Sequence, residues 1–178
     1  RGMNYNFQET LTRVWEKAVD LYQGGQRDSS TFPIDDDLPF LSLLGMNKMD
    51  VFDYAEDWVL EGTPDLATFL LIHEQRRDYF IEVQKRTPSS KTLDTGTLPA
   101  KTETIEGIHW LPRIIPKARA KLRGELPASS MFCCGGDRHF FQTNDINPAE
   151  FLRVVKKAEE QDQVIIDWVL ARVKENNL

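Results

Sequence analysis

Long apolar runs are missing from this chain. No stretch approaches the ~18 consecutive apolar residues of a membrane-spanning helix, so none is expected. Cysteine is nearly missing too: Cys133 and Cys134 are the only two, and sequence neighbours rarely bridge each other, which excludes a disulfide framework and points to a reducing, cytoplasmic setting. No apolar run follows the start Arg1-Gly2-Met3-Asn4, so no secretory leader is expected; Met3 reads as the natural start, and Arg1-Gly2 as an added remnant. Alternating runs of β-branched residues are scarce, which argues against a sheet. A glycine-rich phosphate loop, a Gly-x-Ser-x-Gly elbow and a Ser-His-Asp order are all lacking. Positive charge is in deficit as well. A net charge of -6 and a pI near 5.1 argue against general nucleic-acid binding, which needs a basic surface to release counterions.

What is present is ordinary in bulk and uneven in place. The 178 residues, 40% hydrophobic and 28% charged, suit a globular chain that buries roughly 70% of its unfolded surface. Residues 1–86 carry 9 Lys/Arg against 16 Asp/Glu, whereas residues 87–178 carry 13 against 12. From Asp28 to Asp65 there are ten carboxylates and one cation, Lys48; from Arg113 to Arg123 there are five cations and no acid.

Sliding the chain against itself by 100 residues gives a gap-free match. Leu11, Arg13, Lys17, Ala18 and Gly24 recur at 111, 113, 117, 118 and 124. Ser29, Ser30, Phe32, Asp37, Phe40 and Asn47 recur at 129, 130, 132, 137, 140 and 147. Eleven identities in the 37 positions from 11 to 47 predict an internal duplication. Between the copies, Arg86 to Gly107 is rich in Thr, Ser and Pro and lacks aromatics, as a linker should. The predicted organisation is a first unit at 3–85, a linker at 86–107 and a second unit at 108–178.

Each unit reads as helical. Leu11, Val14, Trp15, Ala18, Leu21 and Tyr22 form one stripe, closed by Gly24-Gly25, with a counterpart at about 112–122 that Pro116 should start or kink. Asp37 and Asp137 stand as N-caps of short helices. Asn47 and Asn147 each precede an acid three positions on, as capping residues of helices at about 48–60 and 148–160. Longer helices follow at about 64–85 and 163–175. The fold class expected is all-α: two tandem, related bundles of about four helices each, joined by the linker.

The motifs of the second unit are familiar. The stretch Ile108-His109-Trp110-Leu111-Pro112-Arg113, continuing to Ala120, leads to a Cys before a Gly/Asp turn at Cys134 to Asp137. Phe140-Phe141, Ile146 and a closing helix from Asp162 to Val169 follow. Over Gly107 to Val173 the chain resembles the bacterial domain-of-unknown-function family 5069, departing from it at Pro116 and in the doubled Cys133-Cys134. The resemblance implies a small bacterial helical protein and no particular activity.

Several constellations are candidates for chemistry. Cys133, Cys134, Asp137 and His139 match no standard zinc spacing, so a buried thiol pair is expected and no metal or cofactor. His73, Arg76, Arg77 and Phe80 share one helix face, either as an anion pocket or as partners of the acidic stretch of their own unit. Asp53, Glu56 and Asp57 read as a solvated acidic face. Arg113, Lys117, Arg119, Lys121 and Arg123 read as a helix lying against the acidic first unit. The function expected is a noncatalytic module binding a protein or small ligand, with His73, Arg76, Arg77, Arg113, Lys117, Asp137 and His139 as ligand-binding candidates; nucleic acid and membrane are not expected partners. Two alternatives stand beside it. One is an enzyme in the cleft between the units, requiring at least two of Asp137, His139, His73 and Arg113 in one cavity. The other is an RNA-associated accessory protein, requiring a continuous basic surface.

Overall fold

The structure is a computed structural model and describes residues 3–178; Arg1 and Gly2, read above as a remnant, lie outside the described residues. The protein is mostly helical. The first half contains α1 (Phe7–Gln23), α2 (Leu38–Leu43), α3 (Lys48–Glu61) and α4 (Leu66–Asp78). The second contains α5 (Leu111–Arg123), α6 (Gly135–Thr143), α7 (Pro148–Ala158) and α8 (Asp162–Asn176). Two strands of two residues each, β1 (Thr104–Ile105) and β2 (Ile108–His109), pair antiparallel just before α5 and are the only strands among the described residues. No helix among them is long and apolar enough to cross a membrane.

Helix boundaries follow local chemistry. The Asn47 side chain accepts from the Asp50 N–H, and Asp50 accepts in return from the Asn47 N–H, closing a capping box on α3. Asn147 accepts from the Ala149 and Glu150 N–H groups at the start of α7, but Glu150 does not reciprocate; its carboxylate meets Arg172 at 2.7 Å. Gly24 and Gly124 cap α1 and α5.

Four features of the helices differ from the sequence expectation. Asp137 is no N-cap: α6 begins two residues earlier, after Cys134, and Asp137 is buried within its first turn. Asp37 does precede α2 but makes no side-chain capping bond. Pro116 neither starts α5 nor ends it; Pro112 takes the tolerant first turn, and Pro116 lies inside. The α4 helix stops at Asp78 and passes into a wider π turn over Tyr79–Val83.

The hydrophobic core is one cluster drawn from both halves. It joins Leu11, Val14, Ala18, Phe32, Val51 and Phe69 to Leu111, Ile114, Ala118, Phe132, Phe151 and Val169. Within the first half α1 packs on α3 and α4; within the second α5 packs on α7 and α8; across the halves α4 packs on α7 and α5. The segment 86–107 lies along the second half, where the Leu93 N–H donates to the Glu125 carbonyl at 2.7 Å and Ser89 donates to the Glu125 carboxylate. Polar groups buried in the seam between the halves must therefore find partners.

Candidate functional site

The seam is where the charged groups collect. Lys121, on α5, is buried and places its ammonium 2.8 Å from Asp50 Oδ1 and 2.9 Å from His73 Nε2. His73 is fully buried, and its Nδ1 lies 2.7 Å from the Phe69 carbonyl. Burial first, and the Lys121 ammonium second, push the imidazole down to about 3, so it is neutral at ordinary pH. Burial works most strongly on the Asp50 carboxyl, to raise it, yet the Lys121 charge, the Lys121 hydrogen bond and the Asn47 N–H together hold the group below its usual value. Tyr54 closes this layer by donating its hydroxyl to the Phe132 carbonyl at 2.5 Å.

Arg76 is a tie rather than a site. Its Nε donates to the Gly45 carbonyl, and its Nη1 donates to the Leu122 carbonyl and to Gln84. It thus satisfies a last-turn carbonyl of α5, an orphan acceptor of that helix end. Burial pushes the guanidinium down to about 10. Arg77 turns the other way, donating to Asn4 and lying 4.2 Å from the Phe7 ring centroid. The shared face of His73, Arg76 and Arg77 is therefore split between seam and surface, and neither arginine pairs with an acid of its own half.

A second layer lies beside α6. Lys117 is buried, with its ammonium 2.7 Å from Asp137 Oδ2 and 3.3 Å from Cys134 Sγ. Asp137 is fully enclosed: Oδ2 also accepts the Cys133 N–H, and Oδ1 accepts the Trp110 indole N–H at 2.8 Å. Arg138, the next residue, crosses the seam to Asp57 at 2.8 Å and Glu61 at 2.6 Å. Cys133 is buried, and burial followed by the Asp137 charge pushes its thiol up to about 12, which leaves it inert as a nucleophile.

Between these layers the two halves enclose an open cleft of about 480 Å³. One wall is α3, with Asp53, Glu56, Asp57 and Glu61; the other is α5 and the start of α6, with Arg113, Lys117 and Cys134. Asp57 and Glu61 are held by Arg138 and Lys117 by Asp137, so Asp53, Glu56 and Arg113 are the charges left to face an occupant. Glu56 accepts from the Tyr22 hydroxyl at 2.7 Å, and Arg113 donates to the Pro99 carbonyl. Burial first, with Asp50, Glu56 and Asp57 adding repulsion against the opposing pull of Lys121, raises Asp53 to about 7.

The predicted residues are thus distributed over several places. Arg113 and Lys117 line the cleft, Asp137 lies beneath it, and His73 and Arg76 are locked in the seam. Exposed His139 lines a separate cavity on the far side of α6. Arg113 and His139 line different cavities, and neither Asp137 nor His73 lines either of those two. No three His, Cys, Asp or Glu side chains among the described residues are grouped to hold a metal ion. The five cations of α5 form no free basic row: Arg119 pairs with Asp162, Arg123 with Glu160, Lys121 with Asp50 and Lys117 with Asp137, while Arg113 meets a carbonyl and the Trp110 ring. Only Lys121 among them pairs with the acidic first half.

Sequence reasoning missed Lys121, Arg138 and Asp50. A signal for the first two was available in the repeat: at an offset of 100 they stand opposite Leu21 and Leu38. A cation where the residue 100 positions earlier is apolar marks a charge taken inside.

Residues 96–177 match the model of DUF5069, a domain of unknown function. Over those residues the second half of the chain is similar to this family. The DUF5069 match begins within the segment 86–107, consistent with that segment's packing on the second half. It supplies Arg113, Lys117, Cys134, Asp137 and Arg138, but none of the four carboxylates on the opposite wall of the cleft. No curated protein and no solved structure matches the chain.

Proposed function

We propose that this protein is a noncatalytic helical module that binds a small amine-bearing ligand in the cleft between its halves. The observation that carries the reading is the lining of one 480 Å³ cavity by residues of both halves, four of them carboxylates. Its size suits a small molecule. With Asp57, Glu61 and Lys117 engaged inside the protein, Asp53 and Glu56 offer an ammonium group two acceptors, and Arg113 offers a counterweight for a carboxylate on the same ligand. The Asp53 carboxyl, raised to about 7, loses its proton more readily once a cation sits beside it.

The same reading takes the halves as copies of one duplicated unit. α1 and α5 end at 23 and 123, and α3 and α7 begin at 48 and 148. In this view residues 86–107 are the strap that duplication required, and the cleft is the space between two diverged copies.

Thermal-shift titration with 1,4-diaminobutane tests the proposal. At a concentration of about 100 Kd the melting temperature rises by about 5 °C, and Asp53→Asn/Glu56→Gln abolishes the rise. The reading fails if the diamine gives no shift, or if the double variant shifts as the wild type does.

A further inference from the structure

A second cavity, of about 490 Å³, opens on the other side of α6, between that helix and the β1–β2 hairpin. Its walls are apolar, with Ile108, Trp110 and Phe140. Its rim is basic: Lys101, His109 and His139 all line it, all are exposed, and none of the three side chains has a hydrogen-bond or ion-pair partner among the described residues. No carboxylate lines it, in a chain where acids outnumber Lys and Arg by 28 to 22. The cleft described above has the opposite character, with four carboxylates in its walls.

The aromatic wall is held in place before any ligand arrives. The Trp110 backbone takes a left-handed conformation, φ 75°, in which a bulky residue is rare. Its indole N–H is fixed on Asp137, and the Arg113 guanidinium lies 5.6 Å from the ring centroid. At Gly136 a Cβ would stand 2.6 Å from the indole, so only glycine lets the ring lie against α6. Preorganised walls lower the ordering cost of binding. Thr143 and Asn144 add short polar side chains at the mouth, the latter anchored by its amide on the Phe140 carbonyl.

We propose that this cavity is a binding site for a small planar aromatic anion, an aryl carboxylate. The ring packs between Trp110 and Phe140, and the carboxylate meets Lys101 and the two imidazoles at the rim. Apolar walls alone would take any hydrocarbon; the acid-free basic rim selects the anion. The site is separate from the cleft, since Asp53 and Glu56 do not line it.

Titration of the full chain with benzoate, benzamide and acetate, followed by the indole N–H resonances, separates the possibilities. Benzoate shifts the Trp110 signal saturably, at least about tenfold more tightly than benzamide, and acetate does not shift it. The exposed-site variant Lys101→Gln/His139→Gln weakens benzoate by about tenfold or more, and Thr143→Trp, which fills the mouth, abolishes it, both with an unchanged far-ultraviolet circular dichroism spectrum. Asp53→Asn/Glu56→Gln leaves benzoate binding intact, so failure of the cleft and failure of this site are read independently. Equal affinity for benzamide, an unmoved Trp110 signal, or wild-type affinity in the rim variant overturns the proposal.

Discussion

Lys17–Asp37 and Lys117–Asp137 are two ion pairs that lie 100 residues apart in the chain. Residue types and spacing are identical, and the ammonium–carboxylate distances are 2.8 and 2.7 Å. In the first half the two side chains are 43% and 24% exposed; in the second, 7% and 0%. The cover makes the difference. Asp137 receives the Trp110 indole N–H and the Cys133 backbone N–H, whereas the corresponding positions hold Thr10, whose hydroxyl accepts from Arg13, and Pro33, which has no N–H to give. A carboxylate without those donors stays near water, and a pair near water contributes little. One with them can be enclosed, and then loss of either partner leaves a charge stranded.

The largest expected effect tests that contrast directly. Asp137→Ala costs about 3–5 kcal/mol in urea denaturation, because Lys117 is left buried without a counter-charge, while Asp37→Ala costs about 0–1 kcal/mol. Similar losses at the two positions would remove cover as the explanation. A smaller effect is expected from the ring that provides the cover. Gly136→Ala forces a methyl group into the Trp110 indole and costs about 2 kcal/mol; its exposed counterpart, Asp36→Ala, changes stability by no more than about 0.5 kcal/mol.

The smallest concerns a carboxylate of the seam that no donor supports. Asp53 accepts no hydrogen bond among the described residues, and its folded value of about 7 exceeds the ordinary 3.8. The folded state therefore holds this proton where the unfolded chain has lost it, so the group's contribution is full below about pH 4 and declines as pH rises through 7. Asp53→Asn removes that decline and leaves the protein about 1 kcal/mol more stable at pH 8. His73 acts in the opposite sense: neutral when folded down to about 3, it favours folding above 6.5 and loses that contribution as the solution is acidified. Denaturation midpoints across pH 4–8 for the wild type and Asp53→Asn resolve the two.

Helix positions were legible because they depend on local chemistry. The Leu11, Val14, Ala18 stripe, the Asn47 cap and the Gly24 stop act within a few residues, and the offset of 100 carried them onto the second half. The shared core was not legible, because an apolar stripe shows that it must be covered but not by what. The polar seam was hidden for the same reason. Arg76 and His73 share a helix face with Arg77 by spacing, yet their partners are the Leu122 carbonyl and Lys121, 46 and 48 residues away. Arg138 stood beside Asp137 in the sequence without any mark that its partners, Asp57 and Glu61, lay on α3.

The Arg76 guanidinium also constrains what the chain can become. A Cβ at Gly45 would come within 2.9 Å of it and within 2.7 Å of Phe80, and a Cβ at Gly124 would collide with its Nη2. Both glycines have φ near 70°, so each is required by backbone shape and by the same side chain. Positions 45, 76 and 124 are thus tied through one guanidinium. Shortening the arginine would clear the space beside Gly124 alone, since Phe80 still closes on Gly45, and the left-handed backbone would go on favouring glycine at both.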